Sequence, residues 1–87
     1  MGFSLEIISL GKRYQKNVKT VILSGFEGDF GVFTGHTHFI TAVKPSKIRI
    51  NYEDTDEYIR IGFGLAEVTP QKLTLITEEL IYDKHLT

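Results

Sequence analysis

The fold is decided by three consecutive stretches: Lys47-Ile48-Arg49-Ile50-Asn51-Tyr52, Glu53-Asp54-Thr55-Asp56 and Tyr58-Ile59-Arg60-Ile61. Apolar and polar side chains alternate on both sides of the short acidic segment. Since successive side chains of a β-strand point to opposite faces, this alternation predicts a hairpin. We expect the isoleucines of the first stretch and Tyr52 to face inward. The acidic segment is then an exposed hairpin turn.

The same period of two extends over most of the chain. Further strands are predicted within residues 5–9, 18–23, 40–43, 65–68 and 73–77. Lys44-Pro45 and Pro70-Gln71 indicate turns, and Gly62-Phe63-Gly64 indicates a bulge or bend. Weak helical periodicity occurs in residues 78–87, over too short a length for a stable helix. We therefore predict an all-β fold, a single small β-sandwich of about eight to ten short, mostly antiparallel strands that fills residues 1–87 as one domain.

The composition narrows the possible functions. The 87 residues include no cysteine, which excludes disulfides and thiolate metal sites. Ten basic residues nearly balance eleven acidic ones, and no basic run exceeds Lys12-Arg13, so no nucleic-acid partner is expected. No apolar run approaches the roughly 18 residues of a membrane span, and the start of the chain lacks a signal-peptide pattern. These features predict a soluble, intracellular protein.

His36-Thr37-His38 is the strongest candidate metal site in the sequence. Residues two apart on a strand share a face, so both imidazoles could bind one ion, as in a small cupin-like metal-binding enzyme. However, no carboxylate follows until Glu53, and two protein ligands do not complete a zinc coordination sphere. We predict no catalytic residue, no metal and no cofactor, and we keep the enzyme built on His36 and His38 as an alternative.

Residues 25–36 combine four glycines, two carboxylates and three phenylalanines. Glycines at this density indicate positive φ angles or close approaches of the backbone, and the phenylalanines indicate a loop that is held against a core. The carboxylates of Glu27 and Asp29 can pair with arginine or lysine side chains of another protein. We expect an ordered acidic docking loop. A generic β-sandwich adaptor with another partner is a further alternative.

Several segments, in the right order, resemble the N-terminal β-sandwich of the epsilon subunit of rotary (F-type) ATP synthases. That family has a Glu-Gly-x-Phe/Leu-Gly loop, a Pro-Gly-His turn, a strand ending in Lys-Pro-Gly and a late Gly-Phe-Leu-Glu-Val hairpin. The corresponding segments here are residues 5–9, 27–32, 35–36, 41–45, 64–68 and 73–76. Thr34, His38 and Ser46 depart from the pattern. Family members commonly continue into a pair of C-terminal helices, which we expect to be absent from residues 1–87.

The resemblance implies a non-catalytic subunit of the central stalk. In that family the sandwich clamps the foot of the gamma subunit and rests on the polar loops of the membrane proteolipid (c) ring, which couples rotation to ATP synthesis. The residues that would face the ring are Glu27, Gly28, Asp29 and Phe30. Those that would face gamma are Ser9, His36 and Thr41. The implied location is the cytoplasmic face of a bacterial inner membrane, with membrane association only through the complex.

Overall fold

The computed structural model describes residues 2–33 and 38–82, and these two segments contain ten strands and no helix. The strands are β1 (Phe3–Ser9), β2 (Lys12–Val18), β3 (Thr20–Gly25), β4 (Gly28–Val32), β5 (Phe39–Val43), β6 (Ser46–Tyr52), β7 (Thr55–Ile61), β8 (Gly64–Thr69), β9 (Lys72–Thr77) and β10 (Leu80–Tyr82). Within the described segments, therefore, no helix is long and apolar enough to cross a membrane.

The central element is one long hairpin that bends in the middle. β5 continues into β6 across Lys44-Pro45, and β7 continues into β8 across Gly62-Phe63, with one register throughout. The bend divides the strands into a first layer, β4-β3-β6-β7-β10, and a second layer, β5-β8-β9-β1-β2. Neighbouring strands are antiparallel except for β1 and β9. This arrangement confirms the all-β sandwich and the predicted bend.

Apolar side chains from both layers form the core. The largest fully buried ones are Leu5, Ile7, Leu23, Ile48, Ile50, Ile59, Ile61, Leu73 and Leu75. Tyr52 packs against this cluster while partly exposed. The prediction that the isoleucines of residues 47–52 and Tyr52 face inward is therefore confirmed.

The two layers are also joined by side chains where the sheet does not close. The Tyr14 hydroxyl on β2 donates a hydrogen bond of 2.7 Å to Glu57 Oε1 on β7. The Lys16 ammonium lies 4.0 Å from the centre of the Tyr52 ring. Lys12 Nζ donates to the carbonyl oxygen of Leu80 at 2.9 Å. These contacts hold the edge strand β2 against the first layer.

The prediction of one strand over residues 18–23 is wrong, and β2 was not predicted at all. Val18 ends β2 in the second layer, and β3 begins in the first layer after Lys19, whose N–H donates to the carbonyl oxygen of Asn51 at 2.8 Å. β2 gives little sequence signal because it is a polar edge strand that buries Tyr14 and Val18 alone among its residues.

The weak helical periodicity of residues 78–87 does not correspond to a helix where the chain is described. Leu80–Tyr82 forms β10, which pairs with β7 through Leu80 and Ile61. Pairing with an existing sheet edge supplies backbone hydrogen bonds that so short a helix could not supply for itself. Residues 83–87 lie outside the described residues.

Both bends of the long hairpin lie at one end of the sandwich. The β1–β2, β3–β4 and β9–β10 connections lie at the same end, because the registers bring these strand ends to one level. We call this the bend end. Its connections are Leu10-Gly11, Phe26-Glu27, Lys44-Pro45, Gly62-Phe63 and Glu78-Glu79.

Candidate docking surfaces

The acidic glycine-rich segment forms a tight hairpin at the bend end. Phe26 and Glu27 make the turn between β3 and β4, and Gly28 follows with φ of +123°, a conformation that side chains other than glycine rarely adopt. The Ser24 hydroxyl donates to Asp29 Oδ1 at 2.9 Å, which holds this carboxylate along the hairpin. A side chain at Gly25 would lie 3.1 Å from the Phe30 ring. Gly25 and Gly28 thus serve the two purposes that the density of glycines predicts.

A groove of about 580 Å³ lies between this hairpin and β5. Residues 25–30 form one wall and residues 39–42 the other. The rings of Phe30 and Phe39 meet edge to face, with centroids 6.4 Å apart, and both pack against the core. All four residues predicted to face the ring, Glu27, Gly28, Asp29 and Phe30, therefore lie together on one wall.

The phenylalanines of residues 25–36 are not all held against the core, so that expectation is wrong in part. Phe30 is partly buried, but Phe26 is 60% exposed and Phe33 is 53% exposed. Phe26 instead stacks on Phe63 from the β7–β8 bend, with ring centroids 6.1 Å apart and planes within 9°. The stack joins two segments that are distant in sequence.

Two of the residues predicted to face gamma, Ser9 and Thr41, have side chains that are less exposed than those of the hairpin turn. Ser9 is 9% exposed at the end of β1, and Thr41 is partly buried on β5, where it lines the groove. Both belong to the inward-facing set of the second layer, at or near the bend end. His36 lies outside the described residues. Any contact made by this region would therefore involve the outward neighbours of Ser9 and Thr41 more than their own side chains.

Those outward neighbours form an apolar row across the second layer. Register places Ala42 beside Leu65, Leu65 beside Ile76 and Ile76 beside Ile8, so the row crosses β5, β8, β9 and β1. Leu65 is 55% exposed and Ile76 57% exposed, and Ile40 lies close by on β5. Contiguous exposed apolar side chains of this kind are typical of protein interaction sites. We call Ala42, Leu65, Ile76 and Ile8 the apolar row.

Beside the apolar row lies an ion cluster that the sequence did not predict. Glu6 points outward from β1 but is only 7% exposed, because Arg13 Nε at 2.7 Å and Lys72 Nζ at 2.9 Å cover it. The hydrogen bond from Lys72 and the charge of Arg13 hold the pKa of Glu6 below its ordinary value, although burial opposes them. Glu6 alternates with the buried Leu5 and Ile7 along β1, but only the registers of β2 and β9 bring both cations to it.

The candidate metal pair is described in part. His38 Nε2 lies 3.3 Å from Glu67 Oε2 across β5 and β8, whereas His36 is outside the described residues. Among residues 2–33 and 38–82, no group of three or more histidine, aspartate or glutamate side chains is arranged to hold a metal ion. The structure thus gives His38 a carboxylate partner on the neighbouring strand.

Comparison with known proteins identifies the family. The model of the family described as "ATP synthase, Delta/Epsilon chain, beta-sandwich domain" matches residues 2–83. The chain belongs to this family. The ATP synthase epsilon chain of Helicobacter pylori (strain Shi470) is 36% identical over 78 residues, and that of Helicobacter acinonychis (strain Sheeba) is 35% identical over 78 residues. Each match covers 90% of this chain and 63% of the relative, so the chain spans less than two thirds of these relatives.

Two solved structures share the fold. A chain of the Euglena gracilis mitochondrial ATP synthase (OSCP/F1/c-ring) has a TM-score of 0.88 at 20% identity, covering 99% of this chain and 56% of its own length. A chain of the Tetrahymena thermophila mitochondrial ATP synthase (central stalk/c-ring) has a TM-score of 0.80 at 10% identity, covering 98% and 69%. Family membership confirms the predicted resemblance to the epsilon subunit of ATP synthase.

Proposed function

We propose that this chain is a rotor subunit in the central stalk of an ATP synthase. It clamps the gamma subunit on one side, rests on the proteolipid (c) ring on another, and so couples rotation of the ring to ATP synthesis. Family membership over residues 2–83 supports the assignment to ATP synthase. The exposed apolar row supports the mechanical part of the proposal, because contiguous exposed aliphatic side chains mark protein interaction sites.

Gamma is the partner proposed for the apolar row. Subunits that stay assembled bury more apolar surface than transient partners do. The row lies between the positions of Ser9 and Thr41, so these two residues would border the contact while Leu65 and Ile76 fill its centre. A stiff contact of this kind suits a part that transmits torque, since well-packed interiors deform little.

The ring is the partner proposed for the β3–β4 hairpin. Glu27 and Asp29 are exposed carboxylates on a tight turn, and they suit basic side chains of short polar loops. The hairpin and the apolar row adjoin at the groove, where Ala42 belongs both to the row and to the wall opposite the hairpin, and the proposal gives each of them its own partner. The proposed location is the cytoplasmic face of a bacterial inner membrane, reached through the complex, with coupling to protons.

Charge reversal at the hairpin tests the proposal. In membranes that carry the assembled complex, we expect Glu27→Lys with Asp29→Lys to weaken the hold on the ring at least about tenfold. ATP-driven proton pumping should fall, measured by quenching of a pH-sensitive dye. ATP hydrolysis by the detached head should persist.

The matched control reverses two exposed carboxylates at the opposite end of the sandwich, Glu53→Lys with Asp54→Lys. This pair changes the net charge by the same amount and should leave pumping unaffected. Unchanged pumping in the hairpin variant, or an equal loss in both variants, would count against the assignment of the hairpin to the ring.

A further inference from the structure

The Phe26–Phe63 stack is an exposed apolar feature that neither the fold nor the acidic hairpin requires. The two rings lie 6.1 Å apart and nearly parallel, yet 60% of Phe26 and 53% of Phe63 remain exposed. Large aromatic side chains of the core are, by contrast, drawn inward, as Phe3 at 4% exposure illustrates. An aromatic pair held at the surface is a typical anchor of a protein interface.

The stack is held rigidly from the Phe63 side. The carbonyl oxygen of Phe63 accepts the Glu78 N–H at 3.0 Å and the Thr77 hydroxyl at 3.0 Å. Next to it, the Gly62 N–H donates to the carbonyl oxygen of Glu79 at 3.1 Å. Because the bend is fixed before any partner arrives, little conformational entropy remains to be lost on binding.

Carboxylates surround the stack. Glu27 follows Phe26 in the hairpin turn, and Glu78 Oε2 accepts the Phe63 N–H at 3.4 Å. Glu79 is exposed beside it. Among the basic residues at the bend end, Lys44 is exposed, whereas Lys12 Nζ donates its hydrogen bond to the carbonyl oxygen of Leu80. The electrostatic surroundings therefore favour a cationic partner.

We propose that the Phe26–Phe63 stack, with Glu27 and Glu78 beside it, is the anchor that receives an arginine or lysine side chain from a polar loop of the proteolipid ring. This inference rests on the proposed function and names the chemistry of its ring contact. A guanidinium group stacks on an aromatic face and pairs with a carboxylate at the same time. A second copy of this chain is a poorer occupant, since it would bring like-charged carboxylates together.

The test measures binding of this chain to a purified gamma–ring complex that has been stripped of it. Phe26→Ser and Phe63→Ser remove the rings from exposed positions. Leu10→Ser is the matched control, because Leu10 is 95% exposed at the same end and lies outside the stack. We expect about tenfold weaker binding for each phenylalanine variant. We expect the double variant to lose less binding affinity than the product of the two single fold-losses, because the two rings act as one unit.

The outcomes separate the inference from the proposed function. If the wild-type chain fails to bind the complex, the proposed function itself is wrong. If the wild type binds and both phenylalanine variants bind equally well, only the anchor is wrong. Concentration-dependent self-association of the wild type, abolished by Phe63→Ser in sedimentation velocity, would also overturn it. Binding of the wild type and of both phenylalanine variants that does not change with added salt would contradict a cationic occupant.

Discussion

Among the glycines that the structure describes, Gly64 has the least room for a side chain, and its replacement gives a sharp prediction. Gly64 begins β8 directly after the bend and pairs with Thr77 on β9. A Cβ atom there would collide with the backbone carbonyl oxygen of Ile76 and would lie 3.1 Å from both Cα and Cβ of Thr77. Because these obstacles are mostly backbone, no side-chain rotation relieves them. Gly64→Ala must therefore push β9 away from β8.

Two effects lower the free energy of unfolding of the Gly64→Ala protein. Overpacking that forces backbone shifts costs about 1–3 kcal/mol, and weakening the Gly64–Thr77 pairing costs about 1 kcal/mol more. We expect Gly64→Ala to lower the free energy of unfolding by about 2–4 kcal/mol. For a domain of this size each kcal/mol shifts Tm by about 4–8 °C, so Tm should fall by roughly 8–32 °C. Circular dichroism during heating and urea titration measures both quantities.

Gly31→Ala is the matched control within β4. Its added Cβ would lie 3.1 Å from the ring of Phe33, so the close contact is with a side chain that is 53% exposed and not with backbone. Since alanine also restricts the unfolded chain, we expect no loss and a gain of up to about 1 kcal/mol. A Gly64→Ala protein within about 0.5 kcal/mol of wild type, or an equal loss in both variants, would refute the close backbone approach at the bend.

Two further predictions concern contacts between strands. Tyr14→Phe removes the charge-assisted hydrogen bond of 2.7 Å to Glu57 and should lower the free energy of unfolding, measured with urea, by about 1.5–3 kcal/mol. If it lowers that free energy no more than a substitution of an exposed surface residue does, the contact between the layers is unimportant. Glu6→Gln should destabilise the protein at pH 7. Because the pKa of Glu6 is lowered by folding, its contribution is present above about pH 4.5 and is lost as the pH falls further. The difference between variant and wild type should therefore shrink at pH 3, and a difference that is constant with pH would contradict the ion cluster.

The sequence predicted those parts of the fold in which local pattern and tertiary environment agree. Residues 47–61 alternate because one face of the hairpin meets the core and the other meets solvent. β2 has no such contrast, since it lies at an edge and exposes most of its length. The sequence also could not predict that β2 ends and β3 begins on either side of Lys19, because a continuous β-branched run does not show where the chain passes from one layer to the other.

The candidate site divides in the same way. Glycines and carboxylates close together in sequence predicted an ordered acidic loop, and the structure has the turn of the β3–β4 hairpin there, with Gly28 and Asp29 in β4. The apolar row could not be predicted, because Leu75 and Ile76 are adjacent apolar residues and the pattern alone does not say which one faces out. Nor could the stack of Phe26 on Phe63, since it depends on the topology that brings a hairpin turn beside a bend.

The central claim is that this chain joins gamma and the ring. The most direct measurement is a pull-down from native membranes with this chain as bait, alongside a Leu65→Asp variant that places a charge in the apolar row. We predict that the wild type retains gamma, the head and the proteolipid subunit, and that Leu65→Asp loses gamma while its Tm stays near that of wild type. Recovery of no ATP synthase subunit by the wild type, or equal recovery of gamma by both proteins, would contradict the account.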